Sequence, residues 1–129
     1  TGKVNCVYQM TTFHEWDFDG VNEMILSDIS PENRPRNPLA HFDGNGFAFT
    51  LSRANGVLAL EAENYDPKVN WATLVCVKTG QPQVVKQYST AQIGPDVNTK
   101  GVCPAALGSK DHQPASFDPN TKLFYVPTN

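Results

Sequence analysis

The chain has no excess of positive charge, no long apolar run and no extended helical stripe, and each absence closes off a class of function. Across 129 residues, 10 lysines and arginines face 13 aspartates and glutamates, for a formal charge of −3. A dedicated nucleic-acid binder usually carries a basic stripe, so no nucleic-acid partner is expected. No apolar run approaches the roughly 18 residues that a membrane span needs. Nothing at the N-terminus reads as a signal peptide, although the chain opens on Thr1-Gly2 without Met. Both ends read as cut, the far one at Val126-Pro127-Thr128-Asn129, directly after a strand pattern. Cysteine is scarce and odd in number: Cys6, Cys76 and Cys103 include no C-x-x-C pair, which argues against structural zinc. On residue type alone ordinary buried thiols are the better reading. In an oxidising compartment the odd count would instead mean a free thiol or a partner elsewhere.

What is present points to one all-β domain. The chain is 40% hydrophobic, enough to bury a core, and its length fits a single domain. Short segments rich in Val, Phe, Tyr and Leu read as strands: 4–10, 22–28, 39–41, 46–52, 57–61, 73–78, 83–87 and 122–127. Ten prolines and nine glycines punctuate them. Asn55-Gly56 and Thr79-Gly80 read as hairpin turns, Thr1-Gly2-Lys3-Val4 as the tail of the same unit, and Asp118-Pro119-Asn120-Thr121 as a turn entering a strand. Repeated turn-plus-strand units without helices suggest propeller blades of about 40–50 residues, so the chain would hold two to three. The connections 30–38 and 90–101 are long and polar, and such loops are either functional or surface padding.

Two places offer chemistry. In Glu15-Trp16-Asp17-Phe18-Asp19-Gly20, an extended chain would send Asp17 and Asp19 to one side and Trp16 and Phe18 to the other. Two neighbouring carboxylates repel, and a hard cation relieves that repulsion. The alternative is a turn whose acids cap backbone N–H groups, which local sequence favours. An EF-hand fails at Val21 and an H-E-x-x-H zinc motif fails at Phe18. In the run from Val102 to Asp111, Cys103 reads locally as a core residue and Asp111 as a solvated loop acid. His14, His41 and His112 form no ligand spacing and read as surface or hydrogen-bonded imidazoles.

Taken together, Val7-Tyr8-Gln9-Met10-Thr11, Glu15-Trp16-Asp17, Gly20 to Leu26, Tyr65 to Ala72, Lys86 to Gly108 and Phe117 to Asn129 resemble an internal stretch of a known family. It is the large subunit of the pyrroloquinoline quinone (PQQ)-dependent methanol dehydrogenases, periplasmic eight-bladed β-propellers. The resemblance covers essentially the whole chain. It implies a fragment of an enzyme that oxidises a primary alcohol such as methanol and passes electrons to a cytochrome c, with the full-length protein a homodimer. It implies that Asp17 is the catalytic base and a metal ligand, and that Asp19 is the extra carboxylate of the lanthanide-dependent branch. A trivalent ion gains more from that carboxylate than calcium does. The remaining metal ligands would lie upstream of Thr1. Asp111 aligns with a residue beside PQQ. Cys103 resembles one half of a disulfide whose partner lies beyond Asn129.

The departures matter as much. The family's PQQ-contacting arginine sits in Asp-Arg-Asn-Gly, whereas this chain reads Asp43-Gly44-Asn45-Gly46, so that contact is expected to be lost. Losing a fixed cation there would cost on the order of 10²–10³ in rate, by analogy with lost oxyanion donors. Cys6 replaces a blade-docking tryptophan, and His14, Ser52 and Cys76 replace typical aspartates. Two other readings therefore stand beside the lanthanide enzyme: a non-catalytic propeller scaffold, favoured by Gly44, and a calcium-type enzyme, disfavoured by Asp19. The 129 residues alone are expected to be inactive and prone to aggregate through open sheet edges. Calorimetric titration of lanthanum into the isolated chain should show weak binding at best, and submicromolar affinity would contradict this.

Overall fold

The computed structural model describes residues 2–4, 6–29, 38–53 and 59–129, without the side chains of 59 and 60. Among these the all-β expectation holds, and every sheet is antiparallel. Strands β1 (Ile25–Leu26), β2 (Pro38–Phe42), β3 (Phe47–Ser52) and β4 (Ala59–Asn64) form one sheet in sequential order, the make-up of a single propeller blade. Strands β5 (Ala72–Val75) and β6 (Pro82–Val84) form a hairpin, as do β7 (Ser116–Asp118) and β8 (Leu123–Tyr125). The Asn55-Gly56 turn, Val57 and the 30–37 part of the proline-rich connection lie outside the described residues.

Tight turns set the registers. Between β2 and β3, Asp43 N donates to Phe47 O and Gly46 N to Asp43 O, both at 3.1 Å, with Gly46 at φ 87°. This pairs His41 with Phe49 and Phe42 with Ala48, so His41 shares a sheet face with Phe49. Between β5 and β6, Gly80 N donates to Cys76 O at 2.7 Å with Gly80 at φ 72°. A Cβ at Gly80 would stand 2.6 Å from Gln9 O, so glycine is required there twice over.

Several expected strands are shorter or absent. The described residues of 4–10 form no strand: Val4 and Val7 are exposed, and the segment is tied instead by Tyr8 Oη donating to Val77 O at 3.0 Å. An apolar pattern without a partner to pair with does not make a strand. Only Ile25 and Leu26 of 22–28 pair with β2. After β6, Lys86–Tyr88 turns into a 3₁₀ helix. Strand β7 was missed by sequence because two of its three residues are polar.

The core lies between the inner face of the four-stranded sheet, the 8–18 segment and β5. Phe47, Phe49, Trp16, Phe18, Trp71, Ala72 and Val75 are buried together. Trp71, fully enclosed, has Trp16 at 4.9 Å, Phe18 at 5.7 Å and Phe47 at 6.0 Å between ring centroids. Its indole Nε1 donates to Asn45 O at 2.8 Å, which ties the core to the β2–β3 turn. Truncating Trp71 to Ala in the protein that carries this segment should cost about 3–5 kcal/mol in chemical denaturation. Trp71→Phe should cost less, because only the indole bond and part of the volume go.

Candidate functional site

The segment 15–20 is held by its even-numbered aromatics. Trp16 and Phe18 stack with ring centroids 5.7 Å apart and planes 14° apart, and Trp16 Nε1 donates to Tyr88 O at 2.8 Å. Glu15 accepts Ser89 Oγ at 2.7 Å, Thr90 Oγ1 at 2.9 Å and Ala91 N at 3.2 Å. Burial pushes the Glu15 carboxyl up, but these donors outweigh it and hold it below the usual range. With Trp16 and Phe18 inward, Asp17 and Asp19 are left exposed. The backbone is not simply extended, however. Asp17 has φ 65°, a left-handed conformation that aspartate tolerates better than most residues. Among the described residues neither carboxylate accepts a backbone N–H, so the capping alternative is not what the structure shows; Asp19 Oδ1 lies 3.2 Å from His14 Nε2.

Asp17, Asp19, Asn22, Gly44, Lys110 and Asp111 share one cavity of about 250 Å³. The structure thus brings together four positions singled out by sequence, from three separate stretches of chain. Asp111 is about one-third exposed, with His112 Nε2 3.5 Å from its Oδ1. Gly44 lies against backbone: a Cβ there would stand 3.0 Å from Phe18 O, and one at Gly108 would stand 2.6 Å from Gly44 O. Gly44 O accepts Ser109 N at 2.8 Å, joining the turn to the loop that carries Asp111.

Cys103 lies away from this group and is partly buried. Its N–H donates to Asn70 Oδ1 at 2.8 Å and its carbonyl accepts Asn70 N at 3.0 Å. The buried-thiol expectation is corrected for Cys6 and Cys76, which are both exposed, and all three thiols are free. They sit in the unpaired leading segment and at a hairpin turn, where little packs over them.

Sequence reasoning missed a buried network behind the cavity. Asp43 Oδ2 accepts Thr11 Oγ1 at 2.9 Å, Asp43 Oδ1 accepts Gly44 N at 3.0 Å, and His41 Nε2 lies 3.5 Å from Asp43 Oδ1. Asn45 Nδ2 donates to Thr11 Oγ1 at 3.0 Å, and Tyr65 Oη donates to Asp43 O at 2.7 Å. Burial, with Asp43 and Asp66 nearby, drives the Tyr65 phenol upward. The available signal was His41 and Asp43 two apart at the end of a strand pattern. A second missed pair is Lys110 and Glu23, with Nζ 3.2 Å from Oε2. Burial raises the Glu23 carboxyl, but the Ala115 N–H, its own N–H and Lys110 together bring it below the usual range.

No protein-family model matches the chain. Over its whole length it is 60% identical to a lanthanide-dependent methanol dehydrogenase of Methylorubrum extorquens, of which it covers 22%. It is 37% identical over its whole length to a quinoprotein ethanol dehydrogenase of Pseudomonas putida, covering 21% of that protein. A europium-containing methanol dehydrogenase of known structure superposes with a TM-score of 0.82 at 45% identity, over 95% of this chain and 20% of that one. The likeness read from the sequence is borne out across the whole chain, which spans about a fifth of the length of the relatives it matches. The fold is that of a segment of a propeller enzyme.

Gly20 provides a test of the buried network. A Cβ there would run into Asp43 Oδ1 and stand 3.2 Å from His41 Nε2, and Asp43 is pinned by Thr11 and Gly44. Gly20→Ala should therefore destabilise the protein by about 1–3 kcal/mol on thermal or urea unfolding. A neutral result would mean that Asp43 moves freely.

Proposed function

We propose that this chain is a segment of a quinoprotein alcohol dehydrogenase that oxidises methanol, or another small primary alcohol, to the aldehyde with PQQ and a lanthanide ion. The reading extends to electron release to a cytochrome c, a periplasmic location, a homodimeric whole protein, and a disulfide from Cys103 to a cysteine beyond Asn129. Its main support is the meeting of Asp17, Asp19, Asp111 and Gly44 on one cavity, in a chain 60% identical to a lanthanide-dependent methanol dehydrogenase. No helix among the described residues is long and apolar enough to cross a membrane.

The donor chemistry fits a hard cation. Asp17 and Asp19 offer carboxylate oxygens on the cavity, and Asn22 beside them has a buried Oδ1 without a hydrogen-bond partner. Among the described residues no three of His, Cys, Asp or Glu form a set that would hold an ion unaided. The remaining ligands would come from elsewhere in the whole protein, as the resemblance implies. When bound, PQQ supplies the two-electron acceptor and the ion supplies Lewis acidity.

This chain's residues then divide the work. Asp17, exposed on the cavity, takes the proton of the alcohol hydroxyl. Asp19 adds the second carboxylate, steadied by His14. Asp111 would flank the quinone, as the resemblance implies. Gly44 leaves its part of the wall without the cation that the family's arginine provides, and this one feature favours the second reading, a non-catalytic scaffold.

Reconstituting the whole protein with PQQ and lanthanum, and assaying methanol with an artificial electron acceptor, tests the reading. Turnover is expected, and Asp17→Asn should lower it by about 10²–10⁴. Asp19→Ala should lower the lanthanide content measured by elemental analysis; unchanged content would remove Asp19 from the ligand set. Equal activity with calcium alone would favour the calcium-type enzyme. No turnover, with Gly44→Arg failing to restore any, would favour the scaffold.

A further inference from the structure

Lys110 is a charged side chain with no exposed surface, on the wall of the Asp17–Asp19 cavity. A buried ammonium is tolerated only where acceptors meet it. Here Nζ lies 3.2 Å from Glu23 Oε2 and 3.2 Å from the main-chain oxygen of Asp111. The other oxygen of the same carboxylate, Glu23 Oε1, accepts Ala115 N. One glutamate, entering β1 from far back in the sequence, thus grips the loop at 110 and again at 115. The loop's entry is fixed separately, by Ser109 N to Gly44 O at 2.8 Å and Ser109 Oγ to Asp66 Oδ2 at 2.7 Å. Asp111 lies between these anchors, and its own carbonyl is one of the groups held.

We propose that Glu23 and Lys110 are positioning residues that fix the Asp111 backbone and so hold the Asp111 side chain at the cavity in a geometry competent for the cofactor. The inference rests on the reading of Asp111 as a cofactor neighbour. Neither residue needs to touch the ligand. Their work is to remove the freedom of a loop that otherwise has no regular secondary structure between 89 and 115. A glutamate is suited to this because its two oxygens meet two donors at once, and it supplies the buried lysine with a charged partner.

The test uses the whole protein prepared without PQQ, with four variants: Glu23→Gln, Lys110→Met, the double variant and Asp111→Ala. Amide hydrogen exchange reads the clamp without any cofactor. Lys110→Met should speed exchange at residues 111–115 by about 10-fold or more, whereas unchanged exchange would overturn the clamp. Titration with PQQ, followed by quenching of protein fluorescence, reads its purpose. Each single variant should weaken binding by about 10-fold, as for groups that orient a ligating residue. The double variant leaves no buried charge unpaired and should regain much of the lost Tm, but not the affinity. If affinity returns together with Tm, or if Lys110→Met binds like the parent while Asp111→Ala does not, positioning is overturned. If the parent takes up no PQQ, the proposed function fails, while the exchange measurement still decides the clamp.

Discussion

Asp43 is 2% exposed, and a carboxylate in such a place is tolerable only because both of its oxygens are met. Thr11 and the Gly44 N–H supply hydrogen bonds, and the His41 ring stands against it. Its main-chain oxygen also accepts the Tyr65 phenol and closes the β2–β3 turn through Gly46. Removing that carboxylate would strand a hydroxyl and a peptide N–H in the interior. The turn it shapes presents Asn45 O to the Trp71 indole on one side and Gly44 to the cavity on the other. Core and candidate site are therefore two faces of a single four-residue turn.

The site itself is built on an opposition between neighbours. Trp16 and Phe18 are drawn inward by the aromatic cluster, and the acids between and after them have no choice but to face out. Apolar burial thus provides the force that keeps both acids on the cavity. Two of the three acids have an imidazole beside them, His14 for Asp19 and His112 for Asp111, whereas Asp17 has none among the described residues.

Legibility followed range. The strand 47–52 and the Thr79-Gly80 hairpin turn were readable because alternation and glycine are local signals. What the sequence did not disclose in the acid segment was the left-handed bend at Asp17, since the i, i+2 rule assumes an extended chain. The 4–10 segment has an apolar pattern, but strand formation depends on a partner, and its residues alone do not say whether one is alongside. Gly44 came to notice through resemblance alone, and local pattern by itself read Cys103 as a core residue and Asp111 as a solvated acid. The Glu23–Lys110 pair was invisible for two reasons: 87 positions separate the partners, and a lysine is by default assigned to the surface.

Gly44 and Gly108 meet backbone to backbone, and Gly44 also abuts the Phe18 carbonyl. Part of the cavity is consequently paved with peptide planes, whose contour no rotamer change can alter. Reshaping that pavement would require moving the main chain of three stretches at once. Freedom to change shape is left to the cavity's side chains, of which Leu107 and His112 stand largely in solvent.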